Sequence, residues 1–319
     1  MNFALDNTWK KAGGARLKLA PLDVPLCIES ASMESAAIAA ACAGWEGSPD
    51  GSPAMRVRIE VSAALSGTSD AQIRCNGQRL TICGAGVSAC AEVEHGFADC
   101  VISREYLADP VVLRQEVLEP LVLMLLTRRD RTPVHASAFV IDGLAILLAG
   151  RTGAGKSCLA RAADSLGFQV LAEDTVFVQL APLFKVRGWP AAAHLLPRDA
   201  PDAAGPTRLR GGKVKHVVPL RSASRAAIAC ERAVLCLLSS PPRDSAPTLV
   251  RISAAAVEER LWPLDEGFDL LPGPIAKAVA TLSAGGAWDL SLSADPAEAV
   301  RLLAASLPQL RKTASIPRR

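Results

Sequence analysis

The chain has 319 residues, with 35 Lys and Arg against 32 Asp and Glu, 50% hydrophobic residues and 4% aromatics. This is the composition of an ordinary globular protein; it excludes disordered and collagen-like chains, and the length allows two domains. A net charge of +3 is too small to indicate a nucleic-acid partner by itself.

In chain order, Met1 to Lys18 is polar, with Lys10, Lys11, Arg16 and Lys18 and no apolar run behind them, so no signal peptide is expected. The Ala-rich stretch Met33 to Cys42 reads as a helix, and Gly44 to Pro53, rich in Gly, Ser and Pro, as a linker. Residues Arg56 to Ser62 alternate, placing Val57, Ile59 and Val61 on one face of a half-buried strand. Asn76-Gly77, inside Ile73 to Cys83, predicts a hairpin with a type I′ turn. Together these make the start of the chain a small α+β unit.

Asp109 as an N-cap followed by Pro110 predicts a helix through Val117, Leu118, Leu121 and Leu125, kinked or interrupted at Pro120. Leu121 to Leu126 is the most apolar stretch. It runs into Arg128, Arg129 and Arg131, far short of the roughly 20 residues of a membrane span, so no membrane partner is expected. Val134 to Ile141 and Leu144 to Ala149 read as strands joined at Asp142-Gly143 by a two-residue turn. A helix from Lys156 to Leu166 closed by Gly167, and strands over Phe168 to Ala172 and Thr175 to Leu180, come next. A Pro- and Arg-rich connection reaches about residue 225. Ala233 to Leu238, Thr248 to Ile252 and Trp288 to Ser293 read as strands, and Pro274 to Leu282 and Pro296 to Ala304 as helices. Arg311 to Arg319 reads as a flexible, solvated basic tail.

The nine cysteines include no C-x-x-C pair, and their odd number cannot pair off within one chain. They read as small buried hydrophobes in a reducing compartment, so a cytoplasmic protein is expected. The four histidines add no zinc-like spacing, and no structural metal is expected.

The strongest signal is Gly150-Arg151-Thr152-Gly153-Ala154-Gly155-Lys156-Ser157, a match to G-x-x-x-x-G-K-[ST] placed after a strand and at the opening of a helix. Backbone N–H groups of such a loop surround phosphate oxygens, and the helix N-terminus adds positive partial charge. Lys156 supplies charge to the β- and γ-phosphates, and Ser157 a hydroxyl ligand for Mg²⁺. The expected cofactors are ATP and Mg²⁺, with GTP not excluded by the loop alone. Cys158, directly behind the loop, could make nucleotide binding sensitive to oxidation, although a small packing residue is the simpler reading.

The only asparagines, Asn2, Asn7 and Asn76, precede this loop, which leaves no Asn-Lys-x-Asp to read guanine. The apolar strand Ala233 to Leu238 ends in Ser239-Ser240, without the acid that an ordinary ATPase places there. The best-placed acids are Glu173 and Asp174, after the strand Phe168 to Ala172. In a parallel α/β sheet the end of that strand opens beside the loop. One carboxylate can then hold Mg²⁺ and the other accept a proton from an attacking hydroxyl.

His135 ahead of a hairpin, then the Gly-rich loop, a short helix and an acidic pair resemble the catalytic domain of HPr kinase/phosphorylase and its relatives, including serine kinases encoded with lasso peptides. The resemblance spans about residues 130 to 310 and is specific over Val134 to Val178. It implies an α/β P-loop kinase fold of the type shared with phosphoenolpyruvate carboxykinase, and transfer of the γ-phosphate to a protein serine. It makes Gly150 to Cys158 the nucleotide-binding segment, puts His135 near the transferred phosphate, and implies a base at Glu173 and a metal-associated carboxylate at Asp174. The family has Asp at both acidic positions, so Glu173 departs from it, and the division of roles within the pair stays open. The founding enzymes carry Glu-Ile-Arg-Gly after the acidic pair. Here the chain reads Lys185-Val186-Arg187-Gly188-Trp189-Pro190, which argues against HPr as substrate and against phosphorylase activity.

Between Thr207 and Arg225 lie Arg208, Arg210, Lys213, Lys215, Arg221 and Arg225 with no acid among them. A solvated loop and a clamp for phosphate or an acidic peptide are both open, with Lys213 and Lys215, beside Gly211-Gly212, the candidates for contact. No aromatic residue interleaves them, which argues against nucleic-acid binding. His194 and His216 read as structural or surface residues.

The expected organisation is therefore an N-terminal α+β domain over 1–130 that docks substrate, a P-loop kinase domain over 131–310, and a tail over 311–319. The expected activity is ATP-dependent phosphorylation of a serine on a small protein or peptide. A nucleotide-dependent regulator or ATPase without an acceptor is the first alternative, and a small-molecule kinase on the same fold the second. A homo-oligomer stays open.

Overall fold

Runs of alternating polarity pair into a seven-stranded sheet in the first of two units, Met1–Arg131 and Thr132–Arg319. The computed structural model describes residues 15–30, 35–45, 53–68, 71–189, 192–199, 207–210, 213–221, 229–239, 245–261 and 272–314. No helix among them is long and apolar enough to cross a membrane. The residues 1–14, most of the expected linker at 46–52, Gly211-Gly212 and Arg225 lie outside this set.

In the first unit, β1 (Ala15–Leu19), β2 (Leu26–Ser30), α1 (Ser35–Ala41), β3 (Met55–Val61), β4 (Gln72–Asn76), β5 (Arg79–Gly84), β6 (Val87–Glu92) and β7 (Phe97–Ile102) follow in sequence. The strands assemble in the order β1-β2-β3-β7-β6-β5-β4, parallel at β2/β3 and β3/β7 and antiparallel elsewhere. Met55, Val57 and Ile59 are buried while Arg56 and Glu60 are exposed, as the alternation predicts. Trp45, placed by sequence in the linker, is instead fully buried, with the Arg114 guanidinium 4.9 Å from its ring centroid.

The Asn76-Gly77 hairpin forms with a different turn. Asn76 is the last strand residue, paired with Arg79, so the loop is Gly77-Gln78. Gly77 takes a φ of 58° while Gln78 does not enter positive φ, the type II′ pattern with Gly first rather than type I′.

Helical segments α2 (Glu105–Ala108), α3 (Pro110–Val112), a π-type turn Leu113–Leu118 and α4 (Glu119–Thr127) complete the unit, and α4 packs over β3 and β6. Asp109 caps α3 as expected, its carboxylate accepting from the N–H groups of Val111 and Val112 at 3.0 and 3.2 Å. Pro120 does not break the helix. The wider turn before it lets the Glu119 N–H reach the Arg114 carbonyl, and Pro120, which has no N–H to donate, sits in the first turn of α4.

The second unit runs β8 (Thr132–His135), β9 (Ser137–Ile141), β10 (Leu144–Ala149), α5 (Lys156–Ser165), β11 (Gln169–Ala172), β12 (Thr175–Gln179), β13 (Lys185–Gly188), β14 (Ala192–Leu195), β15 (Thr207–Arg210), β16 (Lys213–Pro219) and β17 (Ala233–Ser239). It closes with β18 (Thr248–Ile252), α6 (Ala254–Leu261), α7 (Pro272–Ser283), β19 (Ala287–Ser291), α8 (Pro296–Ala305) and α9 (Leu307–Thr313). Its main sheet is β11-β9-β10-β17-β19-β18, mixed rather than all parallel, because β9 and β18 are antiparallel to their neighbours. Since β9 is antiparallel to both β10 and β11, β11 runs the same way as β10, and both finish at the same end of the sheet. Every residue of β10 is buried: Ile146 and Leu148 pack with Leu159 of α5 and Leu303 of α8, and Ala145 and Leu147 with Leu282 of α7.

Three expectations change here. Val134 to Ile141 is not one strand but two, with β8 pairing β12 in a three-stranded sheet while β9 joins the main one. The connection toward residue 225 contains β13 to β16, so the basic run from Thr207 is a β-hairpin rather than a loop. Finally, Arg311 to Thr313 belong to α9: the Trp288 indole donates to the Thr313 hydroxyl at 2.8 Å, the Arg232 guanidinium to the Arg311 carbonyl at 3.0 Å, and Arg311 pairs with Asp142. Residues 315–319 lie outside the described set. The Asp142-Gly143 turn holds as expected, with φ of 47° and 76° at its two residues, the type I′ pattern.

Leu310 of α9 is fully buried. Leu310→Ala should cost about 2–5 kcal/mol and lower the urea midpoint of the second unit, whereas an α9 that does not pack on the unit would leave the midpoint where it is.

Candidate active site

The Gly-rich loop leaves the end of β10 and enters α5 at Lys156. Gly153 and Gly155 take φ of 85° and 102°, which residues with a side chain rarely adopt. The Lys156 side chain is buried, and its ammonium donates to the Gly150 and Arg151 carbonyls at 2.5 and 3.3 Å. Thr152, Gly153, Gly155, Ser157 and Cys158 border a cavity of about 330 Å³. Gly150, Arg151 and Ala154 lie on the other side of the loop, along a second cleft with Leu238 and Arg260.

Two sheet changes meet beside this loop. The chain leaves the three-stranded sheet between β8 and β9, and returns to it between β11 and β12. The register sets Ala138 beside Ala172 in one sheet and His135 beside Thr175 in the other, so His135 and the acidic pair converge. His135 Nδ1 lies 3.5 Å from Asp174 Oδ1, and both side chains face the cavity, partly exposed. A further constraint is Gly188 of β13, where a Cβ would lie 2.3 Å from the Leu171 carbonyl oxygen; the close passage of β13 over β11 needs glycine.

Glu173 points the other way. It is buried, its Oε1 accepts from the Ser157 hydroxyl and, at 3.3 Å, from the His194 backbone N–H, and its Oε2 lies 3.4 Å from His194 Nδ1. The Ser137 hydroxyl donates to the Glu173 carbonyl at 2.5 Å. Each of the two adjacent carboxylates has a histidine beside it, but one is buried and bonded to the loop serine while the other is open to the cavity.

A third wall comes from the sheet β14-β16-β15. His194 pairs with Val217, and two-residue periodicity carries that face of β16 back to Lys215 and Lys213, so all three functional side chains border the cavity. Ala193 and Leu195, on the opposite face of β14, enter the core against α5. Sequence reasoning thus missed His194, together with Arg198 and Asp199 on the same rim. The signal for His194 was the shared alternation of β14 and β16, which becomes readable only once their pairing is known.

The residues present fit Mg²⁺ and a nucleotide phosphate. The Ser157 hydroxyl and Glu173 carboxylate are hard oxygen donors side by side, and Lys156 with Lys213 and Lys215 supplies positive charge around one cavity. Cys158 lies on the same wall, half-buried, and burial together with the nearby Asp199 carboxylate pushes its thiol up to about 11.

No family model matches the chain, and no curated protein matches it. A solved structure described as the Hpr(Ser) kinase/phosphatase from Coxiella burnetii is similar over 57% of this chain and 98% of its own length, at 13% sequence identity and a TM-score of 0.26. A likeness that distant carries no function across, and the geometry of the site has to carry it.

With its thiol at about 11, Cys158 is about one-thousandth thiolate at pH 8. Iodoacetamide should therefore leave Cys158 largely unmodified in the native chain at pH 8, with the rate rising about tenfold per pH unit toward 11. Fast labelling at neutral pH, read by peptide mass spectrometry, would restore the oxidation-sensitive reading.

Proposed function

We propose that the chain is an ATP- and Mg²⁺-dependent kinase that moves the γ-phosphate to a hydroxyl, the serine of a small protein or peptide. The observation that carries this reading is the separation of the acidic pair. A buried carboxylate bonded to the loop serine, with a second carboxylate next to it on the cavity wall, is what metal binding and hydroxyl activation need within one site.

In this reading the roles within the pair are the reverse of those the resemblance implies. Glu173 and Ser157 hold the metal, which when bound neutralises charge on the phosphate oxygens. Asp174 accepts the proton of the attacking hydroxyl. His135 orients the Asp174 carboxylate toward that hydroxyl. Lys156 and the loop N–H groups bind the transferring phosphate and absorb its developing charge. Lys213 and Lys215 on the rim favour an acceptor with acidic residues near its serine.

Purified chain, radiolabelled ATP, Mg²⁺ and serine-bearing acidic peptides test this directly. Lys156→Ala should reduce label transfer about 100-fold or more. Asp174→Asn should reduce it by about 10²–10⁴ while leaving Mg²⁺-dependent nucleotide binding in place. Glu173→Gln should instead raise the Mg²⁺ concentration needed for binding. Transfer undiminished in Lys156→Ala would sink the proposal, and equal effects of the two acid variants on Mg²⁺ dependence would sink the division of roles.

A further inference from the structure

A second charged cavity lies in the first unit, on the face of the seven-stranded sheet opposite the one α4 covers. Strand register builds it in rows. Arg56, Phe97, Glu92 and Arg79 stand side by side across β3, β7, β6 and β5, and Arg58, Asp99 and Cys90 form the next row across β3, β7 and β6. Arg129, from the end of the helical segment, closes one side, held by the Ala54 carbonyl at 2.7 Å. The enclosed volume is about 490 Å³.

The charges on this face do not cancel. Arg58 pairs with Asp99 at 2.5 Å, and His95 lies 3.1 Å from Glu92. Arg79, cross-strand from Glu92, donates through Nε to the Cys90 sulfur at 3.0 Å, and Arg129 donates to a backbone carbonyl, so both guanidinium groups are fixed in place. Three lining arginines, Arg56, Arg79 and Arg129, thus face two lining carboxylates, Glu92 and Asp99, and the second of these is already paired with Arg58 beyond the lining. Phe97, half-buried between Arg56 and Glu92, provides an apolar floor, with the Arg58 guanidinium 5.7 Å from its ring centroid.

We propose that this cavity binds a small ligand bearing two or more oxyanionic groups. Guanidinium forks match the geometry of carboxylate and phosphoryl groups, and several of them converging on one concave surface select for such ligands over neutral ones. The volume falls in the range of small-molecule sites and exceeds what a single inorganic phosphate fills. The site uses no residue of the P-loop cavity and stands whether or not the kinase reading does.

The test is calorimetric titration of the full chain carrying Lys156→Ala, which removes the P-loop ammonium as a competing phosphate site, with inorganic pyrophosphate and with citrate as separate probes at low salt. Saturable binding of either probe is expected, weakened roughly tenfold by Arg56→Gln and again by Arg79→Gln, with an unchanged thermal midpoint because both side chains are exposed. Tighter pyrophosphate assigns the site to phosphoryl ligands and tighter citrate to carboxylates. No saturable binding of either probe, or binding that both arginine variants leave unaltered, overturns the proposal.

Discussion

The buried carboxylate of Glu173 is the constraint on which the candidate site depends. A charged group out of water has to be hydrogen-bonded or it is costly to bury. Here its partners come from two other segments of the chain: the Ser157 hydroxyl at the start of α5 and the backbone of His194 on β14. Satisfying that one group fixes the Gly-rich loop, the end of β11 and the third wall relative to one another. The Ser137 hydroxyl, bonded to the Glu173 carbonyl, ties β9 into the same arrangement.

The two sheets explain why neighbouring acids have different surroundings. At Ala172 the chain still belongs to the main sheet, and at Thr175 it has entered the three-stranded one. The residues between span that change, and their side chains leave in different directions. The break at Ala136, between β8 and β9, is its counterpart on the adjoining strands, and it delivers His135 to Asp174. This juxtaposition is a product of topology. A single continuous strand over Val134 to Ile141 would put His135 in the main sheet, away from β12.

The features most legible in the sequence are local. The Gly-rich loop announces itself because phosphate binding demands particular backbone torsions, a lysine and a hydroxyl within eight consecutive residues. The Asp109 cap and the Asp142-Gly143 turn are equally local and appear as read. The features that were not legible depend on pairing between distant segments. His194 has no motif around it and enters the site only through the β14/β16 register. The end of α9, Arg311 to Thr313, looked like part of a solvated tail because its anchors, Trp288, Arg232 and Asp142, lie far away in sequence. The different burial of Glu173 and Asp174 could not be read from adjacency alone, since it follows from the change of sheet. The arginine-lined face of the first unit was hidden for the same reason, its rows being assembled from strands that are not consecutive.

The most direct test of the account is a crystal structure of the chain with Mg²⁺ and a non-hydrolysable ATP analogue. The account predicts the metal at the Ser157 hydroxyl with Glu173 beside it, and the terminal phosphate directed toward Asp174 and His135. A metal held by Asp174 with Glu173 facing the terminal phosphate, or a nucleotide bound away from Lys156, would contradict it.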